Sequence, residues 1–247
     1  MDTPQQPKAN LLLVALLMVA SFVVGSMYSK VQYLEKAAGT TKVLGTQTAG
    51  SQTQPIVPNQ PQPSIKPQKV SVDLGHLPIK GNQTAKVEIV EFGDLRCPFC
   101  QRFYNDTEPQ IIKDYIDTGK AKFAFRHYAF LGPASITAAN AAECANDQGK
   151  FWEMHDYLYK NQPNESDTSL YTTEKLAGIA GTLGIDTNQF KGCLDSKKFD
   201  KNVSDDLAAG QKAGVNGTPT VFINGIPIVG AQPYNVFQSA IDAALKQ

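Results

Sequence analysis

The chain has 247 residues, of which 42% are hydrophobic and 19% charged, and its 23 basic and 23 acidic side chains give a formal net charge of zero. This composition is ordinary for a globular protein and excludes a collagen, a wholly disordered chain and a polytopic membrane protein. The balanced charge removes the simplest case for nucleic-acid binding, a strongly basic domain, so no nucleic-acid partner is expected.

The chain begins with a segment that predicts a membrane anchor. Residues 11–28 read LLLVALLMVASFVVGSMY, in which 15 of 18 residues are apolar and none is charged. At ~1.5 Å per residue this run spans about 27 Å, close to the ~30 Å of a hydrocarbon core. We predict a single transmembrane helix over 11–30, preceded by a cytoplasmic segment, 1–10. A cleaved signal peptide is the alternative, although its apolar core is usually only ~7–15 residues long.

A linker is predicted over residues 31–69. Its part from 45 to 69 contains five prolines, no acid and no aromatic residue. Such a stretch cannot bury enough apolar surface to offset its ordering entropy, so we expect a flexible, Pro/Gln-rich tether.

From residue 70 to 247 the pattern predicts an α/β domain. Strands are predicted at 87–92 and 121–130, with a helix between them that starts at Pro98, is kinked or split by Pro109 and ends at Gly119. Five helices follow near 134–148, 150–161, 173–183, 187–195 and 198–213. Two strands at 220–224 and 226–229 flank Asn224-Gly225, a strong hairpin signal, and a helix over 233–246 closes the chain. The order βαβ, helical block, ββα predicts a small mixed sheet with a helical insertion at about 132–213.

Two cysteines stand three positions apart in Cys97-Pro98-Phe99-Cys100, where the first strand passes into a helix. The first N–H groups of a helix lack intrahelical partners, and the helix dipole places partial positive charge there. Both effects would stabilise a thiolate at Cys97, and such sites lower a thiol pKa from ~8.5 to roughly 3.5–7.5. Pro98 fits the first helical turn, where it costs no hydrogen bond. The placement predicts a redox pair.

Two other interpretations of the pair stay open. Half of a zinc site would need two more ligands, for which Cys144, Cys193 and His155 are candidates, although none forms a second close pair. A purely structural disulfide would close a very short loop and stabilise the fold little. We expect no metal and no dissociable cofactor.

Residues 71–247 resemble the DsbA-like branch of the thioredoxin superfamily, close to its membrane-anchored bacterial thiol–disulfide oxidoreductases. The resemblance rests on VEIVEFGDLRCPFCQRF (87–103), AAECANDQGKFWEMHDYLY (141–159) and GVNGTPTVFING (214–225), in that order. It implies a thioredoxin-like fold in which Cys97 attacks and Cys100 resolves. It also implies a cis Thr218-Pro219 bond in a loop that faces the cysteines and binds an extended substrate. The pattern alone would make this dipeptide an ordinary loop.

Four neighbours of the cysteines are candidate supporting residues, namely Glu91, Arg96, Pro98 and Phe99. Glu91 matches a buried acid of the family and can accept or relay the proton of Cys100, while a salt-bridged or edge-exposed Glu fits equally well. The charge of Arg96 favours a thiolate if its side chain points toward the sulfur. Phe99 stands where the best-known strongly oxidising pattern has His, so an isomerase-like or reductive role stays open.

The other two cysteines, Cys144 and Cys193, fall on predicted helices of the insertion. An even cysteine count outside the cytoplasm favours a structural disulfide between them, and two separate buried thiols are the alternative. The aromatic-rich run 151–159 is predicted to pack in the core of the insertion.

The expected function is a thiol–disulfide oxidoreductase that introduces disulfides into reduced or misfolded exported proteins. The resemblance implies a membrane thiol oxidase, DsbB-like or VKOR-like, as the partner that restores its disulfide. The alternatives are an isomerase or reductase of the same fold, and a tethered binding or chaperone domain. Because disulfides persist outside the reducing cytosol, we expect residues 31–247 on the extracytoplasmic side of the cell membrane.

Overall fold

The computed structural model describes residues 68–247. The predicted anchor at 11–30 lies outside these residues, as does the predicted linker except for its last two positions. Among residues 68–247, no helix combines the length and the apolar character needed to cross a membrane.

A mixed sheet of five strands lies at the centre of this domain. The strands are β1 Lys80–Gly81, β2 Val87–Gly93, β3 Ala121–His127, β4 Thr220–Ile223 and β5 Ile226–Val229. Their order across the sheet is β1-β3-β2-β4-β5. Strands β2 and β3 are parallel, and the other three pairings are antiparallel. The chain crosses from β2 to β3 through helices, as a parallel pair requires.

Eight α-helices complete the described part of the chain. They are α1 Pro98–Asp106, α2 Glu108–Ile111, α3 Pro133–Asn146, α4 Phe151–Lys160, α5 Thr173–Thr182, α6 Thr187–Asp195, α7 Asp200–Lys212 and α8 Tyr234–Leu245. A π-helical turn, Ile112–Ile116, continues α2, and a 3-10 turn, Ser169–Tyr171, precedes α5. Helices α3 to α7 form the predicted insertion. The predicted split near Pro109 is confirmed, because α1 ends at Asp106 and Pro109 lies in the first turn of α2.

The predicted strand at 121–130 is wrong in its last three residues. Strand β3 ends at His127, and the backbone N–H groups of Phe130 and Leu131 donate to the carboxylate of Asp94 instead of to a strand. The short edge strand β1 was not predicted, because two residues are too few to show an alternation of apolar and polar side chains. It pairs with β3 through Lys80 opposite Phe123.

The predicted hairpin between β4 and β5 is confirmed. Its two turn residues, Asn224 and Gly225, both have positive φ, 47° and 84°. Positive φ at both positions is typical of a two-residue type I′ hairpin turn. Gly225 is required for a second reason, since a Cβ there would lie 2.2 Å from the carbonyl oxygen of Val70. The N–H of Val70 donates to the carbonyl of Gly225 at 2.9 Å, which ties the start of the domain to this hairpin.

Alternating side chains of the sheet enter two different cores. Ile89 and Phe123 face α1 and α8, where they pack with Phe103 and Phe237. The intervening residues, such as Val90, face the segment 70–79 and Tyr128. The aromatic-rich run 151–159 is largely core, as predicted, with Phe151, Met154, Leu158 and Tyr159 buried. The core of the insertion is continuous with both cysteines of the Cys-x-x-Cys pair, so the insertion packs directly on the candidate site.

Candidate active site

Cys97 is the residue that caps the N-terminus of α1, and Pro98 is the first residue of that helix. The carbonyl of Cys97 accepts the N–H of Gln101 at 3.0 Å, so the helix begins directly after it. Both Cys97 and Cys100 are free thiols. Cys97 is 4% exposed and Cys100 is fully buried. The two sulfurs therefore differ in environment although they are one helical turn apart.

The pKa of Cys97 is lowered to about 6. The largest cause is a hydrogen bond from the thiol of Cys100, while burial acts in the opposite direction. The side chain of Thr218 and the backbone N–H groups of Phe99 and Cys100 lower it further. The contribution of the N–H groups is the one expected at a helix N-terminus, where they have no intrahelical acceptor. Cys97 can therefore be a thiolate at neutral pH.

Cys100 has the opposite shift, because burial raises its pKa well above the usual value. Its hydrogen bond to Cys97 and the nearby charge of Glu91 raise it further. Glu91 is itself fully buried on β2, and neither of its carboxylate oxygens has a hydrogen-bond partner. Burial raises the pKa of Glu91 well above its usual value. Of the two readings of Glu91, the structure thus shows a buried acid without an ion pair of its own.

The Thr218-Pro219 peptide bond is cis, and its loop faces the cysteines. The thiol of Cys97 donates to the carbonyl oxygen of Thr218 at 3.5 Å. The hydroxyl of Thr218 is buried and has no partner while Cys97 is a thiol. A thiolate at Cys97 can accept this hydroxyl, which is why the Thr218 side chain lowers the pKa of Cys97.

We expect Thr218→Val to raise the midpoint of the Cys97 titration above about 6. The shift should be on the order of one pH unit, because a hydrogen bond to a charged group contributes about 1.5 kcal/mol or more. The ultraviolet absorbance of the thiolate in the reduced protein measures it. Thr220→Val is the matched control, since the Thr220 hydroxyl donates to the carbonyl of Gly217 at 2.7 Å. An unchanged midpoint in Thr218→Val would contradict this role of the hydroxyl.

Arg96 does not meet the condition under which it was expected to favour a thiolate. Its guanidinium donates to the carbonyl oxygens of Leu131 and Glu165, at 3.1 and 2.6 Å, and lies 5.2 Å from the ring centroid of Tyr171. It is not among the largest causes of the shift in the Cys97 pKa. Arg96 instead joins the cysteine loop to the insertion.

Pro98 and Phe99, which lie between the two buried cysteines, are both exposed. The Phe99 side chain is 53% exposed beside Cys97. The guanidinium of Arg102 lies 5.1 Å from the centroid of its ring. Phe99 therefore offers an apolar surface to whatever approaches Cys97.

Three residues that hold the cysteine loop were missed from the sequence. The buried carboxylate of Asp94 accepts the N–H of Arg96 and the hydroxyl of Ser135, in addition to the two N–H groups after β3. The side-chain amide of Gln162 donates to the carbonyl of Leu95 at 3.0 Å, and the Tyr159 hydroxyl reaches the carbonyl of Asp94 at 3.4 Å. Asp94 carried a signal, since a short acid at a strand end favours such turns. Tyr159 and Gln162 carried none, because their partners are distant in sequence.

Cys144 on α3 and Cys193 on α6 form a disulfide within the insertion, with their Cα atoms 5.9 Å apart. Because they are bonded to each other, they cannot serve as the further ligands that a zinc site at Cys97 and Cys100 would need.

The chemistry that this site supports is thiol–disulfide exchange. One thiol has a lowered pKa, and its neighbour hydrogen-bonds to it and is shielded from water. The fold and the site together define the thioredoxin-fold thiol–disulfide oxidoreductases.

Comparison with known proteins supports this class. The family model described as thioredoxin matches residues 75–243. Disulfide bond formation protein D of Bacillus subtilis is 35% identical over 188 residues, which are 75% of this chain and 80% of that protein. The crystal structure of oxidised BdbD from Bacillus subtilis superposes with a TM-score of 0.65 at 34% identity, covering 69% of this chain and 94% of that one. A thioredoxin-like oxidoreductase from Silicibacter pomeroyi gives 0.59 at 27%, covering 69% and 93%. The chain belongs to the thioredoxin family, and within it to the DsbA-like thiol–disulfide oxidoreductases.

Proposed function

We propose that this protein introduces disulfides into reduced exported proteins through the Cys97–Cys100 pair. The observation that carries the proposal is the contrast between the two sulfurs. The pKa of Cys97 is lowered to about 6, whereas burial raises that of Cys100. Cys97 is thereby suited to be the sulfur exchanged with substrate, and Cys100 the one that stays inside.

The reaction starts from the Cys97–Cys100 disulfide. A substrate thiolate attacks the sulfur of Cys97, the bond to Cys100 breaks, and Cys100 leaves as a thiolate. A second substrate thiolate then attacks the substrate sulfur of this mixed disulfide and releases Cys97 as a thiolate. The substrate has lost two electrons and gained a disulfide, and the protein holds the dithiol.

The direction of exchange follows from the stability of the Cys97 thiolate. Its folded-state pKa of about 6 lies below that of an unfolded thiol, ~8.5. The thiolate therefore stabilises the reduced, folded protein fully above pH ~8.5, and this stabilisation is lost as the pH falls through about 6. The disulfide form has no such contribution, so at neutral pH the low pKa of Cys97 favours the reduced form of the protein. The oxidised protein therefore tends to oxidise substrate thiols. The name of the Bacillus subtilis relative, disulfide bond formation protein D, agrees with this direction.

Glu91 serves the buried sulfur in this scheme. When Cys100 leaves as a thiolate, its raised pKa makes the charge unfavourable, and the protonated carboxyl of Glu91 donates a proton to it. In the reverse direction Glu91 accepts that proton before Cys100 attacks. Thr218 and Pro219 contribute the substrate-facing loop, whose backbone edge pairs with an extended peptide.

The cellular setting completes the proposal. The predicted transmembrane helix 11–30 would anchor the protein by a single span, with the catalytic domain outside the cytoplasm on the tether 31–69. A membrane thiol oxidase, DsbB-like or VKOR-like, would take the two electrons and restore the disulfide. The support for both is the sequence pattern and the family, since oxidised thiols persist outside the cytosol.

A measurement of the reduction potential against glutathione tests the direction. The Cys97 pKa of about 6 lies between those of thioredoxin, ~7, and DsbA, ~3.5. We therefore expect a potential between roughly −270 mV, that of thioredoxin, and −120 mV, that of DsbA. The oxidised protein should also remove two thiols per molecule from a reduced, unfolded protein. A potential at or below that of thioredoxin would favour the reductase instead.

A further inference from the structure

The proposed chemistry leaves open what sets the charge of Glu91. Both Cys100 and Glu91 are fully buried, so bulk solvent does not screen the charges that act on the carboxyl of Glu91. Any fixed charge on the same side of the sheet then affects how readily Glu91 takes or gives the proton of Cys100. One place where such charges lie is at the surface of the domain.

That place is a surface cavity of about 420 Å³ beside α1, α2 and α4. In its wall, Lys80 Nζ lies 3.0 Å from Oε1 of Glu108 and 3.9 Å from Oδ1 of Asp156. The same Nζ is 4.1 Å from the ring centroid of Trp152. The Glu108 side chain is only 3% exposed and that of Lys80 is 22% exposed. The ion pair therefore reaches from solvent into the protein.

The register of the sheet places Lys80 and Glu91 on one face. Lys80 on β1 lies opposite Phe123 on β3, which lies opposite Ile89 on β2. Residues opposite each other across a ladder share a face, and so do residues two apart along a strand. Ile89 and Glu91 are two apart, so the face that holds Lys80 also holds Glu91.

Buried polar atoms without a hydrogen-bond partner belong both to Glu91 and to residues at the cavity. Both carboxylate oxygens of Glu91 and Oε2 of Glu108 are buried without a hydrogen-bond partner. Nε2 of His155 is also unpartnered, while its Nδ1 is 2.9 Å from Oδ1 of Asp156 at the cavity. Buried polar atoms of this kind usually bond to ordered water. Glu91 and Glu108 thus both carry buried oxygens that ordered water can satisfy.

We propose that Lys80 and Glu108 are positioning residues that set the charge state of Glu91, and through it the protonation of Cys100 during disulfide exchange. The anionic Glu108 opposes ionisation of Glu91, and the cationic Lys80 favours it. This inference rests on the proposed function, in which Glu91 exchanges a proton with Cys100.

Charged and titratable groups meet this face from every neighbouring element. They are Lys80 on β1, Glu91 on β2, His127 on β3, Cys97 and its α1 neighbours Cys100 and Tyr104, Glu108 on α2, Glu143 on α3, which lies 3.7 Å from His127, and His155, Asp156 and Tyr159 on α4. Of the groups on β1 and α2, Lys80 and Glu108 are the two whose charges act on Glu91 with opposite sign.

The closing step of disulfide formation isolates the effect. Reduced protein mixed with glutathione disulfide forms a mixed disulfide at Cys97 and releases one glutathione. Cys100 then gives its proton to ionised Glu91, attacks the sulfur of Cys97 and expels the second glutathione as a thiolate. Acid quenching and mass spectrometry follow the decay of the glutathione adduct as a function of pH.

The two charges predict opposite results. Glu108→Gln should shift the pH profile of the decay to lower pH, and Lys80→Met should shift it to higher pH. Below the midpoint these shifts correspond to decay at least about threefold faster and threefold slower than in the unchanged protein. The profile of the double variant should lie between those of the two single variants. Lys113→Met is the matched control, since it removes a lysine from the same cavity wall.

The outcomes separate this inference from the function beneath it. The role of Lys80 and Glu108 would be overturned if Glu108→Gln and Lys80→Met shift the pH profile of the decay in the same direction or leave it unchanged. It would also be overturned if Lys113→Met shifts the profile as much as they do. If one single variant fails to fold, the other single variant and the double variant still decide the sign. If the unchanged protein forms no adduct at Cys97 at all, the proposed function fails instead.

Discussion

Replacing Cys97 by Ser should reduce the oxidation of a reduced, unfolded protein to the uncatalysed background, whereas Cys100→Ser mixed with glutathione disulfide should accumulate a lasting glutathione adduct at Cys97. Cys97 is the thiol with the lowered pKa and the one beside the exposed Phe99, so its loss removes the sulfur that substrate attacks. In Cys100→Ser, the Cys97 thiolate attacks glutathione disulfide, forms a mixed disulfide and releases one glutathione as a thiolate, but the internal sulfur that would expel the second glutathione is absent. Non-reducing electrophoresis and mass spectrometry of the adduct measure both results.

The control for this pair of variants comes from the insertion. Replacing Cys144 and Cys193 together also removes two cysteines, but it leaves the Cys97–Cys100 pair intact. We expect that variant to keep its activity while it is folded. Retained activity in Cys97→Ser would exclude the catalytic role and support a binding or chaperone domain whose cysteines only staple the fold. An adduct that forms through Cys100 in Cys97→Ser would reverse the assigned roles.

The sequence was sufficient to predict those features that depend on neighbouring residues. The passage from β2 into α1 follows from alternation before Gly93 and from Pro98 after Cys97, and it places the first cysteine at the helix N-terminus. The hairpin follows from Asn224-Gly225. Both features follow from local preferences of the backbone, which tertiary contacts did not override.

Features that depend on tertiary contacts could not be predicted in the same way. The direction of Arg96 is decided by the carbonyl groups of Leu131 and Glu165, which lie 35 and 69 positions away. Beyond the end of strand β3, Asp94 accepts the backbone N–H of Phe130, which a strand reaching residue 130 would have used. In each case a distant partner competes with the local pattern, and nothing in the pattern identifies that partner.

The environment of Glu91 shows the same limit at the candidate site. Its position on a strand was readable, but an exposed or salt-bridged Glu fitted the sequence equally well. Glu91 is packed closely against Gly93 and Phe125. A Cβ at position 93 would lie 2.9 Å from Oε1 of Glu91 and 2.6 Å from the ring of Phe125. Glycine at 93 thus allows the acid and the aromatic ring to lie side by side. The function of the acid depends on this burial.

Removal of the disulfide in the insertion should lower stability more than any other change considered for this fold. Cys144 and Cys193 are 49 positions apart, and they join α3 to α6. In the chain-entropy model a loop of this length constrains the unfolded chain by about 4 kcal/mol. We therefore expect Cys144→Ala with Cys193→Ala to lower the free energy of unfolding by about 4 kcal/mol, measured by denaturant titration.

The comparison of unfolding free energies with and without the Cys144–Cys193 disulfide requires Cys97 and Cys100 to be in the same redox state in both proteins. Titrations with Cys97 and Cys100 replaced by Ala in both proteins meet this condition, because the remaining difference is the Cys144–Cys193 bond. Helices α3 and α6 also contact each other through a common core that includes Phe190 and Ala141. If the unfolding free energies are equal, that core alone holds the insertion and the disulfide adds nothing. A decrease close to the expected value would mean that the bond secures the insertion, whose Tyr159 and Gln162 hold the loop that carries Cys97.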